Sequence, residues 1–196
     1  MKLLRTAFDI DGIFCKTEKV ILDDLNEQNG LNLRLEDWVL YSAEESFSLN
    51  KDVVRKAVDT ALAKDSIYRI PINDVAIWTV CEIYSKTRKK IPFITSRKSK
   101  EDTEYFLDRC IVKGRFPYEL RYGVKGSLAW VTKLHHMNDM NCNIIVEDAP
   151  DTCDFLVECG KVVLLYDRVY NRYATNGLRF SNWEDVYNFV LVAEKL

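Results

Sequence analysis

The stretch Leu4-Arg5-Thr6-Ala7-Phe8-Asp9-Ile10-Asp11-Gly12 carries the decisive signal for the fold. A largely apolar run ends in two carboxylates separated by one residue, and a glycine follows at once. Residues two apart on an extended strand project to the same side, so Asp9 and Asp11 would share one small space at the strand end. Such close carboxylates repel each other, and a divalent cation, with Mg²⁺ favoured by oxygen ligands, would relieve the repulsion. The alternative is an ordinary Asp-Gly turn with both acids solvated.

The composition is typical of a soluble globular protein of one domain, with room for a modest insertion. The chain has 196 residues, 47% hydrophobic and 30% charged, and a formal net charge of −2 that argues against stable nucleic-acid binding. Six scattered cysteines and two adjacent histidines do not form the repeated spacing of a zinc site, which favours a reduced, cytoplasmic protein. We expect no membrane association, because no uncharged apolar stretch is long enough to span a bilayer. The oligomeric state stays open, a dimer included.

Two later apolar runs, residues 91–94 and 143–146, also end in polar side chains. Because apparent strands alternate with helices, we predict an α/β fold with a Rossmann-like, doubly wound parallel sheet. Ligands of such sheets bind beyond the carboxyl ends of the strands. The polar residues at the three strand ends are Asp9 and Asp11, then Thr95, Ser96 and Arg97, then Glu147 and Asp148.

The residues between the first two strand ends indicate a helical insertion. Residues 16–70 show no convincing strand, and Val54, Val58 and Leu62 recur at helical spacing. We therefore predict a core domain of residues 1–15 and 71–196, with a small helical cap inserted after the first strand. We name residues 16–70 the cap segment.

Phe8-Asp9-Ile10-Asp11-Gly12 resembles the first motif of the haloacid dehalogenase superfamily, the phosphatases with an aspartate nucleophile. This resemblance implies that Asp9 attacks phosphorus and that Asp11 is the general acid and base. Residues 91–97 resemble the second motif, a strand that ends in Thr or Ser. The implied phosphate-binding residues of this second motif are Thr95, Ser96 and Arg97.

Residues 144–148 resemble the fourth motif in its Glu-Asp form. The resemblance implies that Asp148 binds Mg²⁺ directly and that Glu147 binds it or orients its waters, with Asp9 and Asp11 completing the metal site. The third motif is a single lysine that contacts phosphate. Lys125 begins a predicted helix at the strand edge, whereas Lys133 would lie about 12 Å further along that helix. We therefore predict Lys125.

The resemblance implies a Mg²⁺-dependent phosphomonoester hydrolase that acts through an aspartyl-phosphate, with a raised pKa at Asp11 for acid catalysis. Residues 94–97 and the segment Tyr170-Asn171-Arg172 are similar to the 5'(3')-deoxyribonucleotidase branch. A small phosphate monoester, and specifically a nucleotide, is then the expected substrate. The alternatives are a phosphatase for another small phosphate such as a sugar phosphate, a nucleic-acid 3'-phosphatase and a non-catalytic scaffold.

Three aromatic residues in the cap segment bear on this choice of substrate. Trp38, Tyr41 and Phe47 could form a platform on which a nucleobase stacks. They could equally form the small core of the cap segment itself. The sequence leaves both interpretations open.

Overall fold

The computed structural model describes residues 4–195, and a parallel sheet of six strands forms its centre. Residues 1–3 and 196, which the predicted core domain includes, lie outside the described residues. The strand order is β3-β2-β1-β4-β5-β6, and every neighbouring pair is parallel. This confirms the predicted α/β class. The strands are β1 (Thr6–Phe8), β2 (Ile91–Ile94), β3 (Tyr118–Arg121), β4 (Ile144–Glu147), β5 (Val162–Tyr166) and β6 (Leu178–Phe180).

Helices connect the strands and cover the sheet. The α-helices are α1 (Thr17–Asn29), α2 (Ala43–Phe47), α3 (Lys51–Leu62), α4 (Asp74–Thr87), α5 (Lys100–Phe106), α6 (Ala129–Asp139), α7 (Pro150–Glu158) and α8 (Trp183–Lys195). A π-helical stretch, Leu107–Val112, continues α5. Across residues 4–195, no helix combines the length and the apolar character needed to cross a membrane.

The two faces of the sheet pack against different sets of helices. Successive side chains of a strand point to opposite faces, so Ala7 and Ile145 pack with residues of α6 and α7. Phe8 and Val146 pack on the other face with residues of α4 and α8. Burial on both faces explains why these strands are continuous apolar runs in the sequence.

The position of β1 determines where a ligand can bind. β1 lies between β2 and β4, with Phe8 in register with both Phe93 and Val146. The chain proceeds toward one edge of the sheet from β1 to β3 and toward the other from β4 to β6. Such a reversal opens a crevice beyond the carboxyl ends of the strands, where α/β proteins bind their ligands.

The cap segment contains α1, α2 and α3, and it includes no strand. The chain enters and leaves this segment side by side, because the Lys16 amide donates to the Pro71 carbonyl at 2.9 Å. The Asn73 amide donates to the Phe14 carbonyl at 2.8 Å, and Cys15 and Ile72 form an antiparallel bridge. The cap segment is therefore joined to the rest of the chain by two adjacent backbone connections close to the end of β1.

Candidate active site

The carboxyl ends of β1, β2 and β4 bring polar side chains to one edge of the sheet. Asp9 follows β1, and its amide extends the pairing with β4 by donating to the Val146 carbonyl at 2.9 Å. Thr95 follows β2, and Asp148 follows β4. All three side chains are buried, although buried polar groups are costly unless they have partners. The edge is therefore a built polar site.

Asp9, Glu147 and Asp148 form a group of carboxylates that we name the acid cluster. One oxygen from each residue lies within 4.8 Å of the others, and all three residues are buried. Burial raises the pKa of Asp9 well above its usual value despite the attraction of Lys133. Burial, and then the charge of Glu147, raise the pKa of Asp148 to about 7. Negative charge is thus in excess here, and these oxygen donors could hold a divalent cation.

Lys133 is the lysine that contacts the acid cluster. Its Nζ lies 2.9 Å from Oδ1 of Asp9 and 2.6 Å from Oε2 of Glu147. Burial works against the charged ammonium, but the two carboxylates outweigh it and raise the pKa of Lys133. Lys133 is therefore held protonated between Asp9, which follows β1, and Glu147, at the end of the neighbouring strand β4.

The prediction of Lys125 as the lysine at this site was wrong. Lys125 is exposed in the loop that follows β3. The predicted helix was expected to begin there, but α6 begins at Ala129, which makes Lys133 only its fifth residue. The later start removes one turn of the distance that we had assumed, and Lys133 faces the edge of the sheet.

Asp11 lies outside the acid cluster and is paired with Arg97. Nε of Arg97 donates to Oδ2 of Asp11 at 2.8 Å, and Nη2 donates to Oδ1 at 2.7 Å. The Thr17 hydroxyl donates to the same Oδ1. Arg97 is itself buried, and its guanidinium lies 4.2 Å from the ring centroid of Phe106. Burial works against ionisation of Asp11, but the charge and hydrogen bonds of Arg97 outweigh it and lower the pKa.

Two predictions for Asp11 are therefore corrected. The structure gives a lowered pKa where the acid role led us to expect a raised one. Asp11 was also predicted to be a carboxylate ligand of the metal, but among the described residues the acid cluster consists of Asp9, Glu147 and Asp148 without it. The physical reason is that β1 ends at Phe8, so the two-residue alternation of a strand does not extend to Asp11.

The end of β2 leads into a loop that carries Thr95, Ser96 and Arg97. Thr95 is buried, its amide donates to the Arg121 carbonyl, and its Oγ1 accepts from the Arg97 amide at 3.3 Å. Ser96 is exposed. These contacts place Arg97 against Asp11, so the second predicted motif and the first meet directly.

The three aromatic residues proposed as a platform, Trp38, Tyr41 and Phe47, separate into two groups. Trp38 is buried and packs edge-to-face on Phe47, with ring centroids 5.7 Å apart, so these two belong to the packing of the cap segment. Tyr41 is 46% exposed, and its ring packs edge-to-face on Tyr170 at 5.8 Å. Desolvation, and then the charge of Asp148, raise the pKa of Tyr41. Tyr41 is therefore the aromatic residue of the three that lies beside the acid cluster.

Sequence reasoning gave no site role to the turn after β5. The Tyr170 hydroxyl donates to Oδ2 of Asp148, and the Asn171 side-chain amide donates to the Asp148 carbonyl at 2.8 Å. The pairing of neighbouring strands could have identified Tyr170 and Asn171 as site residues. β5 pairs with β4 in parallel, so residues just after β5 lie beside the residues that follow β4.

Comparison with known proteins agrees with this architecture. No family model matches the chain. A nucleotidase of Clostridium acetobutylicum is 27% identical over 114 residues, which cover 54% of this chain and 59% of that protein. The match thus spans less than two thirds of the length of that relative.

Solved structures match over nearly the whole chain. A haloacid dehalogenase-like hydrolase of Bacteroides fragilis has a TM-score of 0.66 at 11% identity, over 94% of this chain and all of that one. The chain has the haloacid dehalogenase-like fold. A predicted phosphoglycolate phosphatase of Haemophilus somnus has a TM-score of 0.67 at 12% identity, over 96% of this chain and 98% of that one. Both of these proteins are named as hydrolases, and at 11% and 12% identity the likeness shows a shared fold.

Proposed function

We propose that this protein is a Mg²⁺-dependent phosphomonoester hydrolase of the haloacid dehalogenase superfamily, with a nucleotide as its substrate and a 5'(3')-deoxyribonucleotidase as the closest activity. The observation that carries the proposal is the acid cluster with Lys133 at the carboxyl edge of a haloacid dehalogenase-like sheet. The similarity to the Clostridium acetobutylicum nucleotidase supports the choice of a nucleotide.

The acid cluster fits a hard divalent cation. Its donors are oxygens, all three residues are buried, and Lys133 supplies a single positive charge between two of them. Asp9 and Asp148 would hold the ion, and Glu147 would bind it or orient its waters. When bound, Mg²⁺ would neutralise charge on the phosphoryl oxygens and orient the phosphate.

Asp9 is the proposed nucleophile, a role that needs its carboxylate form, which the charge of Lys133 favours against burial. An Asp9 oxygen forms a bond to phosphorus while the bond to the leaving oxygen breaks, which gives an aspartyl-phosphate on Asp9. Water then attacks this phosphorus and releases inorganic phosphate and the free carboxylate. Lys133, fixed 2.9 Å from Asp9, stabilises negative charge on the phosphoryl group in both steps.

Asp11 is the proton donor to the leaving oxygen and the base for the attacking water. In the structure, Arg97 keeps Asp11 as the carboxylate, which is the form of a base. The acid form requires that the guanidinium be drawn away. A phosphate dianion competes with Asp11 for the same bidentate donors, so substrate binding frees Asp11 to take up a proton from solvent.

The cap segment is the proposed lid over this site, and residues 4–15 and 71–195 are the described part of the proposed core domain. The two adjacent backbone connections of the cap segment lie beside the end of β1. Closure of the cap segment over this edge would exclude water from the phosphate. Tyr41 packs from the cap segment on Tyr170, which itself contacts Asp148, and is the residue that we assign to the nucleobase. All six cysteines are free thiols, which agrees with the proposed cytoplasmic location.

A phosphatase for another small phosphate is the second candidate, and the similarity to the predicted phosphoglycolate phosphatase favours it. A substrate panel separates the two. We expect the highest kcat/KM for deoxynucleoside monophosphates, lower values for phosphoglycolate and sugar phosphates, and loss of all activity with excess chelator. Asp9→Asn is the control for contaminating phosphatase. Full activity in chelator would disprove the metal dependence, and a preference for phosphoglycolate would favour the second candidate.

A further inference from the structure

The turn formed by residues 168–171 connects the two loops that carry the acid cluster. We propose that Tyr170 in this turn is a positioning residue for the divalent cation, because its hydroxyl fixes the orientation of the Asp148 carboxylate. The inference rests on the proposed function, since it concerns the cation of the same site. Tyr170 acts through Asp148 and touches neither the phosphate nor the reacting atoms.

The contact between Tyr170 and Asp148 is buried and directional. Tyr170 is 7% exposed and Asp148 is 5% exposed, so water has little access to compete for the hydrogen bond. The hydroxyl donates to Oδ2 of Asp148. With Oδ2 engaged in this way, rotation of the carboxylate is restricted, and its oxygens are held in a fixed direction toward the other members of the acid cluster. Partners of this kind orient metal ligands and are typically worth about 10- to 100-fold in metal affinity or activity.

The backbone next to Asp148 is held by the same turn. The fully buried Asn171 donates from Nδ2 to the carbonyls of Asp148 and Tyr166, both at 2.8 Å. Asn171 is fixed in turn by Arg179, whose Nη1 donates to Oδ1 at 3.0 Å and whose Nη2 donates to the Asn171 carbonyl at 2.6 Å. The position from which Tyr170 reaches Asp148 is therefore set by a chain of hydrogen bonds.

The turn also reaches the loop after β1. The Arg168 guanidinium donates to the Gly12 carbonyl. Gly12 has a φ of 73°, and a Cβ at that position would lie 1.8 Å from Oδ2 of Asp148. Oδ2 is thus enclosed by Gly12 and the Tyr170 hydroxyl. One short turn therefore fixes the Asp148 carboxylate and the loop that follows Asp9 relative to each other.

The test is the affinity for Mg²⁺ in the absence of substrate, measured by titration calorimetry on the wild type and on Tyr170→Phe. We expect about a tenfold rise in Kd for Tyr170→Phe. The kcat at saturating Mg²⁺ should recover most of the wild-type value, because the missing hydroxyl acts on the ligand and not on the reaction. Tyr166→Phe is the matched control, since across residues 4–195 the structure shows no hydrogen bond from the Tyr166 hydroxyl, and its Kd should stay unchanged.

A double variant distinguishes a positioning role of Tyr170 from a general disordering of the site. In Asp148→Asn, which weakens the ligand itself, adding Tyr170→Phe should change the Kd little further. An equal additional loss there would overturn the inference. Arg168→Gln, at a half-buried residue of the same turn, tests the same link should Tyr170→Phe not fold, and it should also weaken Mg²⁺ binding.

The outcomes distinguish this inference from the proposed function. If the wild type binds Mg²⁺ and the affinities of Tyr170→Phe and Arg168→Gln equal that of the wild type, the positioning role is wrong while the proposed function stands. If the wild type binds no Mg²⁺, the proposed function fails, and the inference that rests on it fails with it. Because these Mg²⁺ affinities are measured without substrate, an error about the nucleotide cannot affect either of these two outcomes.

Discussion

Asp9 and Asp11 are separated by one residue in sequence but lie in opposite electrostatic surroundings. Asp9 shares its space with Glu147 and Asp148, and burial raises its pKa despite the nearby Lys133. Asp11 faces the bidentate guanidinium of Arg97, which lowers its pKa in spite of burial. A strand end that turns immediately can thus give two closely spaced acids different partners and pKa shifts of opposite direction.

The largest effect in this comparison should come from Asp9→Asn. An amide is a far weaker nucleophile than a carboxylate, so turnover should fall on the order of 10⁴-fold or more. The change also removes one charge from a cluster with excess negative charge, so the Tm should remain close to that of the wild type. Single-turnover kinetics and a thermal melt measure both. Retention of more than a few per cent of the rate would show that Asp9 is not the nucleophile.

Lys133→Met should affect both stability and activity. Removing the ammonium leaves two buried carboxylates without their partner, which typically costs about 3–5 kcal/mol in the free energy of unfolding. The kcat/KM should fall about 10²- to 10³-fold with the loss of a charge directed at the phosphoryl group.

The exposed Lys125 provides the matched control for Lys133. Lys125→Met should change neither the denaturant midpoint nor kcat/KM measurably, because the side chain lies in a solvated loop. Urea unfolding and steady-state kinetics on the two variants settle the assignment. Equal effects of the two substitutions would mean that the contact of Lys133 with Asp9 has no catalytic role.

Arg97→Lys tests the Asp11 half of the comparison. A lysine keeps the positive charge but cannot donate the two parallel hydrogen bonds that Arg97 makes to Asp11. We expect kcat/KM to fall about 10²-fold. Arg121→Lys, at an exposed position, is the control and should behave as the wild type. An unchanged kcat/KM in Arg97→Lys would show that the bidentate geometry does not matter for Asp11.

The features that could be predicted from the sequence depend on short-range rules. Apolar runs that end in polar residues predicted the parallel sheet and the convergence of Asp9 with Asp148, because parallel strands share one carboxyl edge. The choice between Lys125 and Lys133 failed because it depended on where α6 begins, and helix boundaries are weakly encoded locally. The pairing of Asp11 with Arg97 joins residues 86 positions apart, and the contact of Tyr170 with Asp148 depends on strand order. No local pattern encodes either contact.

The smallest predicted effect concerns Tyr41, which lies near the acid cluster but belongs to the cap segment. If it stacks on a nucleobase, Tyr41→Ala should lower kcat/KM for a deoxynucleoside monophosphate about tenfold, since stacking is typically worth about 1–3 kcal/mol per base. An aryl phosphate too small to reach the cap segment should be hydrolysed at nearly the wild-type rate. Kinetics on both substrates measure the difference.

Trp38→Ala is the comparison variant for Tyr41, because Trp38 is buried against Phe47 inside the cap segment. It should lower the Tm and reduce activity on both substrates alike, since a destabilised lid affects every phosphate. Selective loss on the nucleotide in Tyr41→Ala, beside a uniform loss in Trp38→Ala, would assign base recognition to the exposed ring that packs on Tyr170. Uniform loss in both variants would mean that all three aromatic residues serve the packing of the cap segment, and that the substrate is selected elsewhere.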